Sequence, residues 1–335
     1  MPALPGTHRH QPLRRRALLG IAAGTLALPR PGLAQAGFPN RPIRLILPWP
    51  AGGSADIMGR ALAEAASRRL GQPVVVDNKP GAGGVLGLQA LLSEGRPDGH
   101  TLVQMPTSAI TNPLMAARPL FDPLQDFTWI IHVFGYLFVI AVRADAPWQS
   151  FPELLADIRA NPGKFDYATP GVGSPGHMTM EQLCFQQGLQ WQHVPFRGSA
   201  EIQPALLSGA IRIAVDTSAG GLAELVRAGR LRLLASMAPA RASRYPDVPT
   251  FQELGLGLTQ VGSGGYGGPK GMDPGLVRRL HDALRDAMND PAHMATLDRY
   301  DMQAVYMNTE DYTAFAHRLH AQNKAVIERL GLRLG

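Results

Sequence analysis

Two hydrophobic periods alternate along residues 37–335. Short apolar runs that are rich in branched residues and bounded by proline, glycine or aspartate are typical of buried strands. These runs lie at 42–48, 74–76, 101–103, 138–142, 165–168, 193–196, 211–215 and 231–235. Between them, apolar residues recur at intervals of three or four and indicate helices. The predicted helices are 54–70, one that opens at 81–84, 150–160, 175–187, 199–208, 218–228 and most of the C-terminal part of the chain.

This alternation predicts an α/β protein. The order β-α-β-α-β over residues 42–103 is the pattern of a parallel sheet covered by helices, and a loop-rich section separates it from the strand at 138–142. The segment 37–335 is longer than the size at which a single hydrophobic core usually splits, so we expect two domains. One is expected from 37–137 plus 236–335 and the other from 138–235. Because no low-complexity linker is present, the chain is expected to cross between the domains more than once, with the ligand in the cleft between them.

Residues 1–36 carry the three parts of a secretory signal peptide. Arginines at 14–16 precede an apolar run from 17 to 28, and Ala34-Gln35-Ala36 forms a small-x-small cleavage site. The run is too short to cross a bilayer as a helix, which takes ~20 residues. The arginines also resemble a twin-arginine signal, so both export routes stay open. We expect cleavage after about Ala36 and a periplasmic protein, and since no cysteine follows the run we expect no lipid anchor.

Composition narrows the possible functions. The full chain has 32 basic and 26 acidic residues, a net charge of +6, and removing the 5 arginines of the signal leaves +1. Together with an aromatic content of 7%, this predicts a protein that does not bind nucleic acid. The single cysteine, Cys184, allows no intramolecular disulfide and lies among apolar neighbours in a predicted helix, as a structural thiol does. Beyond the signal, no stretch is long and apolar enough to predict a membrane span.

Four glycine-rich turns each follow a predicted strand and open a helix. They are 50–56, 80–84, 170–177 and 196–199. Glycine lets backbone approach a ligand closely, and a helix start presents unpaired N–H groups and the positive end of a dipole. In open α/β sheets such loops lie at the carboxyl ends of strands, where ligands bind. The turns therefore predict an anion-binding cleft, with the second turn structural; the alternative is that all are simple caps, because Ser54 and Ser174 are ordinary N-cap residues.

Enzymatic and cofactor-dependent functions have weaker support. The phosphate-binding G-x-x-x-x-G-K-[ST] pattern is absent, and 81–84 does not complete a dinucleotide fingerprint, so no nucleotide cofactor is expected. No histidine or cysteine spacing suits a metal ion. Ser174, His177 and Asp216 could form a hydrolase triad, but the segment 172–176 lacks the first glycine of the G-x-S-x-G elbow. We expect a protein that is not an enzyme and needs no cofactor.

Several segments together resemble the receptors of tripartite tricarboxylate transporters, the Bug family of periplasmic proteins. The resemblance runs from about residue 40 past 270 and is specific as an ensemble. The matching segments are Pro42–Pro48, Ala51–Asp56, Val76–Gly84, Pro97–Leu102, Gly171–Ser174 with His177, Val194–Gly198 and Tyr245–Thr250.

The resemblance implies a periplasmic binding protein fold of the Venus flytrap type II, with two α/β domains that close on a ligand. It implies a monomer that captures a small carboxylate, held mostly by backbone N–H groups, hydroxyls and waters, and that delivers it to a permease of one large and one small membrane subunit. The site residues carried over by position, with Trp49 beside them, are Trp49, Ala51, Gly52, Gly53, Ser54, Asp56, Thr107, Ser108, Gly173, Ser174, His177 and Asp216.

Three features keep the ligand and the role open. Asp216 looks like the residue that meets a ligand amino group in some members, or else it caps the following helix. Trp49, Lys79 and Phe196-Arg197 differ from the residues frequent in the family. The indole of Trp49 could narrow the pocket or stack on an aromatic acid. A sensor subunit that presents its ligand to a signalling partner would have the same pocket, so the sequence does not separate sensing from transport.

Overall fold

A computed structural model describes residues 37–334 of the chain; the predicted signal peptide lies outside the described residues. The strands of this part are β1 Ile43–Leu47, β2 Val74–Asn78, β3 Thr101–Pro106, β4 Phe127–Arg143, β5 Asp166–Thr169, β6 Gln192–Pro195, β7 Ala214–Thr217, β8 Leu231–Ser236, β9 Val261–Pro269 and β10 Gln303–Met307. The helices are α1 Ser54–Leu70, α2 Val85–Glu94 after a 3₁₀ turn at Ala82–Gly84, α3 Ser108–Met115, α4 Phe151–Ala160, α5 Pro175–Gln187, α6 Ser199–Ser208, α7 Gly221–Arg227, α8 Pro274–Met288, α9 Pro291–Arg299 and α10 Thr309–Leu330.

The predicted β-α-β-α-β unit is confirmed. Strand β1 pairs in parallel with both β2 and β3, and α1 and α2 connect them as the hydrophobic periods indicate. Helix α1 ends at Gly71, whose left-handed φ of 68° suits a residue without a side chain. The inner face of α1 buries Met58, Leu62 and Ala65 against the sheet.

The long strand β4 joins two parts of a mixed sheet. Its first half pairs antiparallel with β9 and β10, and its second half pairs antiparallel with β7 and β8. We call β1, β2, β3, β9, β10 and the start of β4 the first sheet part, and β5 to β8 with the end of β4 the second sheet part. The expectation of a loop-rich section up to 138 is wrong, since α3 and the first half of β4 occupy most of it.

Strand β9 was not predicted, because its sequence VGSGGYGGP has no apolar alternation typical of a strand. Its glycines make room for aromatic rings of the neighbouring elements. A Cβ atom on Gly262 would lie 2.6 Å from Cβ of Tyr136 and 2.7 Å from the Phe138 ring. Any side chain at Gly264 would collide with the ring of Phe134. The strand is therefore stabilised by what packs on it rather than by its own side chains.

Smaller differences concern the ends of elements. The strand predicted at 211–215 is observed at Ala214–Thr217, where Asp216 lies opposite Val139 of β4. The apolar residues at 211 and 213 are buried without belonging to the strand. Apolar character at these positions therefore indicates burial rather than strand pairing. The expectation of a helical C-terminal part missed β9 and β10. Across 37–334 no helix has the length and apolarity that a bilayer crossing requires, and the division into two domains stays a prediction.

Candidate ligand-binding cavity

A cavity of about 50 Å³ lies where the carboxyl ends of β1, β3, β5, β6 and β7 converge. This is the position at which open α/β sheets bind ligands. The wall contains both sheet parts, and it is lined by Trp49, Pro50, Gly53, Ser54, Ala55, Gln104, Pro106, Thr107, Ser108, Tyr136, Phe138, Pro170, Ser174, Pro175, Ser199, Thr217, Gly262 and Ser263.

Four helices begin at this cavity. Helix α1 starts at Ser54, α3 at Ser108, α5 at Pro175 and α6 at Ser199, and all four residues belong to the wall. Within the described chain, no side chain caps α1, α3 or α6 at its N-terminal end. Each helix start has unpaired N–H groups and the positive end of a dipole equivalent to roughly half an elementary charge. The four helix starts therefore contribute positive partial charge of backbone origin to the cavity.

Hydroxyl groups supply most of the polar side chains in the wall. They belong to Ser54, Thr107, Ser108, Tyr136, Ser174, Ser199, Thr217 and Ser263. Of the described residues that line the cavity, none is a lysine, arginine, histidine, aspartate or glutamate. The arrangement can stabilise an anion through hydrogen bonds and helix dipoles without forming an ion pair.

The two sides of the cavity touch each other. The hydroxyl of Ser54 lies 3.3 Å from that of Thr217, which joins the start of α1 to the end of β7. A Cβ atom on Gly198 would lie only 2.6 Å from Cδ of Pro50. The first, third and fourth glycine-rich turns thus meet at the cavity, as the sequence predicted. The second turn is absent from the described lining; it lies beside the third, where Gly83 faces the carbonyl of Val172.

Asp56 holds the first turn in place. Its carboxylate accepts hydrogen bonds from Gly52 N–H at 2.9 Å, from Arg60 Nε at 3.0 Å and from Asn78 Nδ2 at 2.9 Å. Burial acts to raise the pKa of Asp56, but these hydrogen bonds outweigh it and lower the pKa. Asp56 lies outside the cavity wall, as do Ala51 and Gly52. The observed role of Asp56 is to position the turn before α1.

His177 supports the third turn. Its Nδ1 accepts a hydrogen bond from Gly173 N–H at 3.2 Å, and its ring packs on that of His193 with centroids 4.1 Å apart. Burial lowers the pKa of His177 to about 4, so the ring is neutral at pH 7 and can accept this bond. His193 is anchored in turn by the hydroxyl of Thr169 at 2.6 Å from Nε2. His177 and Gly173 are not in the wall.

Ser174 both lines the cavity and caps a helix. It lines the cavity, and its Oγ accepts a hydrogen bond from His177 N–H at 3.3 Å as the N-cap of α5. The capping alternative drawn from the sequence is therefore confirmed for Ser174. Ser54 differs, because the N-cap of α1 is Gly53 and the Ser54 hydroxyl points to Thr217 instead.

Asp216 is buried directly behind the wall. Its Oδ1 accepts hydrogen bonds from the Ser199 hydroxyl at 2.6 Å and from Thr217 N–H at 2.7 Å. Burial raises the pKa of Asp216 to about 6 in spite of these bonds. Helix α7 begins after Gly220 without a side-chain cap from the described residues, so the expectation that Asp216 caps the following helix is wrong.

The hydrolase triad does not form. Asp216 bonds to Ser199 and Thr217, and the His177 ring bonds to Gly173, so neither is aligned with the Ser174 hydroxyl as a relay would require. Cys184 is equally unsuited as a nucleophile, because burial raises the pKa of its thiol to about 12. The thiol contacts Trp191 Nε1, in keeping with a structural role.

Sequence reasoning missed the strand residues of the wall. Gln104, Tyr136 and Phe138 lie on β3 and β4, while Thr217 and Ser263 lie on β7 and β9. One signal was available: Gln104 is a polar residue between apolar residues of β3, and 1% of its surface is exposed. A buried polar side chain without an obvious partner indicates a site. The predicted residues found in the wall are Trp49, Gly53, Ser54, Thr107, Ser108 and Ser174; contact of any of the twelve with a ligand stays a prediction.

Known proteins share both the sequence and the fold. Residues 58–332 match the model of the tripartite tricarboxylate transporter family receptor, TctC. A protein of Cupriavidus necator, named UPF0065 protein in gbd 5'region, is 45% identical over 94% of this chain and 97% of its own length. Protein BugT of Bordetella pertussis is 33% identical over 83% of this chain and 86% of its own length.

The solved structure of the periplasmic binding protein BugD has the same fold. It superposes with a TM-score of 0.83 at 26% identity, over 88% of this chain and 99% of BugD. This chain therefore has the fold of a periplasmic binding protein, as the sequence predicted. Family model, relatives and fold agree, and the chain belongs to the tripartite tricarboxylate transporter receptors, the family that includes the Bug proteins.

Proposed function

We propose that this protein is a periplasmic receptor that captures a small carboxylate anion and passes it to a membrane permease. The observation that carries the proposal is the convergence of four helix N-termini and eight hydroxyls on a cavity whose described wall holds no charged side chain. Helix dipole ends, each equivalent to roughly half an elementary charge, stabilise a bound carboxylate. The family description, a receptor of a tripartite transporter, supports the permease as partner.

Domain closure is the proposed mechanism. A cavity of about 50 Å³ has room for roughly four water molecules, and its two sides touch through Ser54 and Thr217. The arrangement resembles a closed cleft, so a ligand would reach the cavity only after the sheet parts separate. An anion that bridges the start of α1 and the start of α5 favours closure through contacts that exist only in that state. The proposed domains are 37–137 with 236–335, and 138–235.

The same geometry supports binding without catalysis. The Ser174 hydroxyl is engaged as a helix cap and has no aligned base, and the helix dipoles would hold a carboxylate in its ground state. Export by the signal at 1–36, cleavage near Ala36 and action as a monomer complete the proposal, which the periplasmic role of family members supports.

Isothermal titration calorimetry with a panel of mono-, di- and tricarboxylates tests the function. Ser174→Ala should weaken binding of any acid that the protein takes by about 1.5–3 kcal/mol, because a hydrogen bond to a charged oxygen is lost. Removal of the cap should also cost about 1 kcal/mol of folding stability. Ser150→Ala is the matched control, since Ser150 caps α4 through Glu153 N–H and lies outside the wall.

The two variants separate capping from binding. Both should lower the free energy of unfolding by similar amounts, but only Ser174→Ala should lower affinity. Equal affinities for the two variants would show that Ser174 does not contact the anion. A wild-type protein, freed of bound ligand by unfolding and refolding, that takes no carboxylate of the panel would refute the proposed function.

A further inference from the structure

The strand wall of the cavity contains a buried amide that is only partly bonded. Gln104, on β3, donates from Nε2 to the hydroxyl of Tyr136 on β4 at 3.4 Å. Its Oε1 has no hydrogen-bond partner among the described residues. Only 1% of the residue surface is exposed, so water from bulk solvent does not reach this oxygen freely. Both residues belong to the wall of the cavity. An unpaired buried carbonyl oxygen is unfavourable unless a ligand satisfies it, so Gln104 Oε1 is available to accept a hydrogen bond from a ligand.

The Tyr136 hydroxyl supplies the complementary group. It already accepts the Gln104 N–H, and burial, with smaller contributions from Tyr266 and Asp216, raises its pKa well above the usual range. The hydroxyl therefore keeps its proton, and no group within 37–334 accepts a hydrogen bond from it. Gln104 and Tyr136 thus present one free acceptor and one free donor side by side.

Charge decides which ligand group suits this pair. A carboxylate has only acceptors, so it could take the Tyr136 proton but would turn a negative oxygen toward Gln104 Oε1. No basic side chain of the described wall lies beside this pair, and the acidic Asp216 lies close behind the wall. Burial of an unpaired charge is costly. An uncharged hydroxyl or primary amide both donates and accepts, and therefore satisfies both free groups.

We infer that the ligand is a monocarboxylate that carries an uncharged hydroxyl or primary amide group, which binds between Gln104 and Tyr136. The inference rests on the proposed function, because the helix N-termini must hold the carboxylate. It makes Gln104 and Tyr136 the residues that determine specificity. A plain dicarboxylate, with a charge at each end, is the class that this wall disfavours.

Calorimetry with matched acids tests the inference. The probes are butyrate, 4-hydroxybutyrate, succinate and succinamate, with their five-carbon counterparts to vary the reach. Two neutral hydrogen bonds should make the hydroxy and amide acids bind about tenfold more tightly than butyrate or succinate. Succinate that binds as tightly as succinamate, or butyrate as tightly as 4-hydroxybutyrate, at both chain lengths would overturn the inference.

Variants locate the selectivity. Gln104→Met keeps the volume and removes the amide donor and acceptor together, whereas Tyr136→Phe removes only the hydroxyl. Each variant should reduce the preference for the hydroxy and amide acids over butyrate to less than threefold. Ser174→Ala should weaken all acids alike and leave the preference unchanged. Acids that bind without preference contradict this inference alone, whereas a panel in which none binds refutes the carboxylate function itself. Since Tyr136→Phe is a conservative change, it serves if Gln104→Met does not fold.

Discussion

Closure of the cleft can be tested at a single glycine. Gly198 precedes α6 with φ of 163°, an extended conformation that alanine also adopts. Gly198→Ala therefore adds no backbone strain, and it should stabilise the unliganded protein slightly by restricting the unfolded chain. Yet its Cβ atom would lie 2.6 Å from Cδ of Pro50 and 3.7 Å from the Trp49 ring, on the other side of the cavity. The substitution should act on closure and not on folding.

The contact distance sets the expected size of the effect. Carbon atoms pack at about 3.5–4.0 Å, so the turns must separate by about 1 Å to accept the methyl group. Overpacking of this kind costs about 1–3 kcal/mol, which corresponds to a loss of affinity of about 5- to 150-fold. The Ser54–Thr217 contact at 3.3 Å would be lost in the same movement.

The assay compares calorimetric affinity for the tightest carboxylate with the urea midpoint of unliganded protein. Affinity should fall while the midpoint holds or rises. Gly135→Ala is the control, since its Cβ would lie 3.1 Å from Val305 inside the first sheet part, away from the contact between the turns, and its affinity should stay close to that of the wild type whichever way its midpoint moves. Unchanged affinity in Gly198→Ala would refute the idea that the approach of Pro50 to α6 belongs to the bound state.

Three further changes test other parts of the structure. In the wild type, carboxylate affinity should rise between pH 7.5 and 5.5, because Asp216 takes a proton over this range and loses its negative charge. Asp216→Asn keeps an acceptor for the Ser199 hydroxyl but has no charge at either pH, so its affinity should not depend on pH in this way. Calorimetry of both proteins at the two pH values measures the difference. Burial lowers the pKa of His177, so the unfolded state takes a proton first, and the contribution of His177 to stability should fall by about 3 kcal/mol between pH 6.5 and 4. His177→Asn, which retains an acceptor for Gly173, should make the stability fall less steeply over this pH range in urea titrations, and the neighbouring His193 should keep part of the slope. Gly264→Ala should cost about 3 kcal/mol of unfolding free energy through collision with Phe134, and Phe134→Leu in the same chain should restore part of it, whereas full stability of the single variant would contradict the packing of β9.

The sequence predicted those parts of the fold whose side chains pack in regular periods. Helix α1 and strands β1 and β3 follow directly from apolar spacing, since each buries its own residues. Strand β9 does not, because its glycines serve the rings of Phe134, Tyr136 and Phe138, which lie more than a hundred residues away in the chain. A pattern that depends on a distant partner leaves no local signal.

The site was predictable to the same extent. Turns that open helices are local features, so Gly53, Ser54, Ser174 and Ser199 could be located from glycines and hydroxyls after strands. Gln104 and Tyr136 were not, because their meeting depends on the order of β3, β9 and β4 in the sheet. Helix starts thus predict where an anion binds, but the strand wall that selects it becomes visible only with the topology.

The proposed anion site consists largely of backbone groups, and this has a consequence for how the receptor tolerates mutation. The N–H groups at the starts of α1, α3 and α6 belong to no side chain, and only proline removes one of them. A scan of all substitutions should therefore find few positions in the wall at which one change abolishes capture of the anion. Changes in the strand wall should instead exchange one acid for another. A receptor of this kind can acquire a new ligand through single substitutions in the strand wall, because the backbone N–H groups that bind the anion are kept at every step.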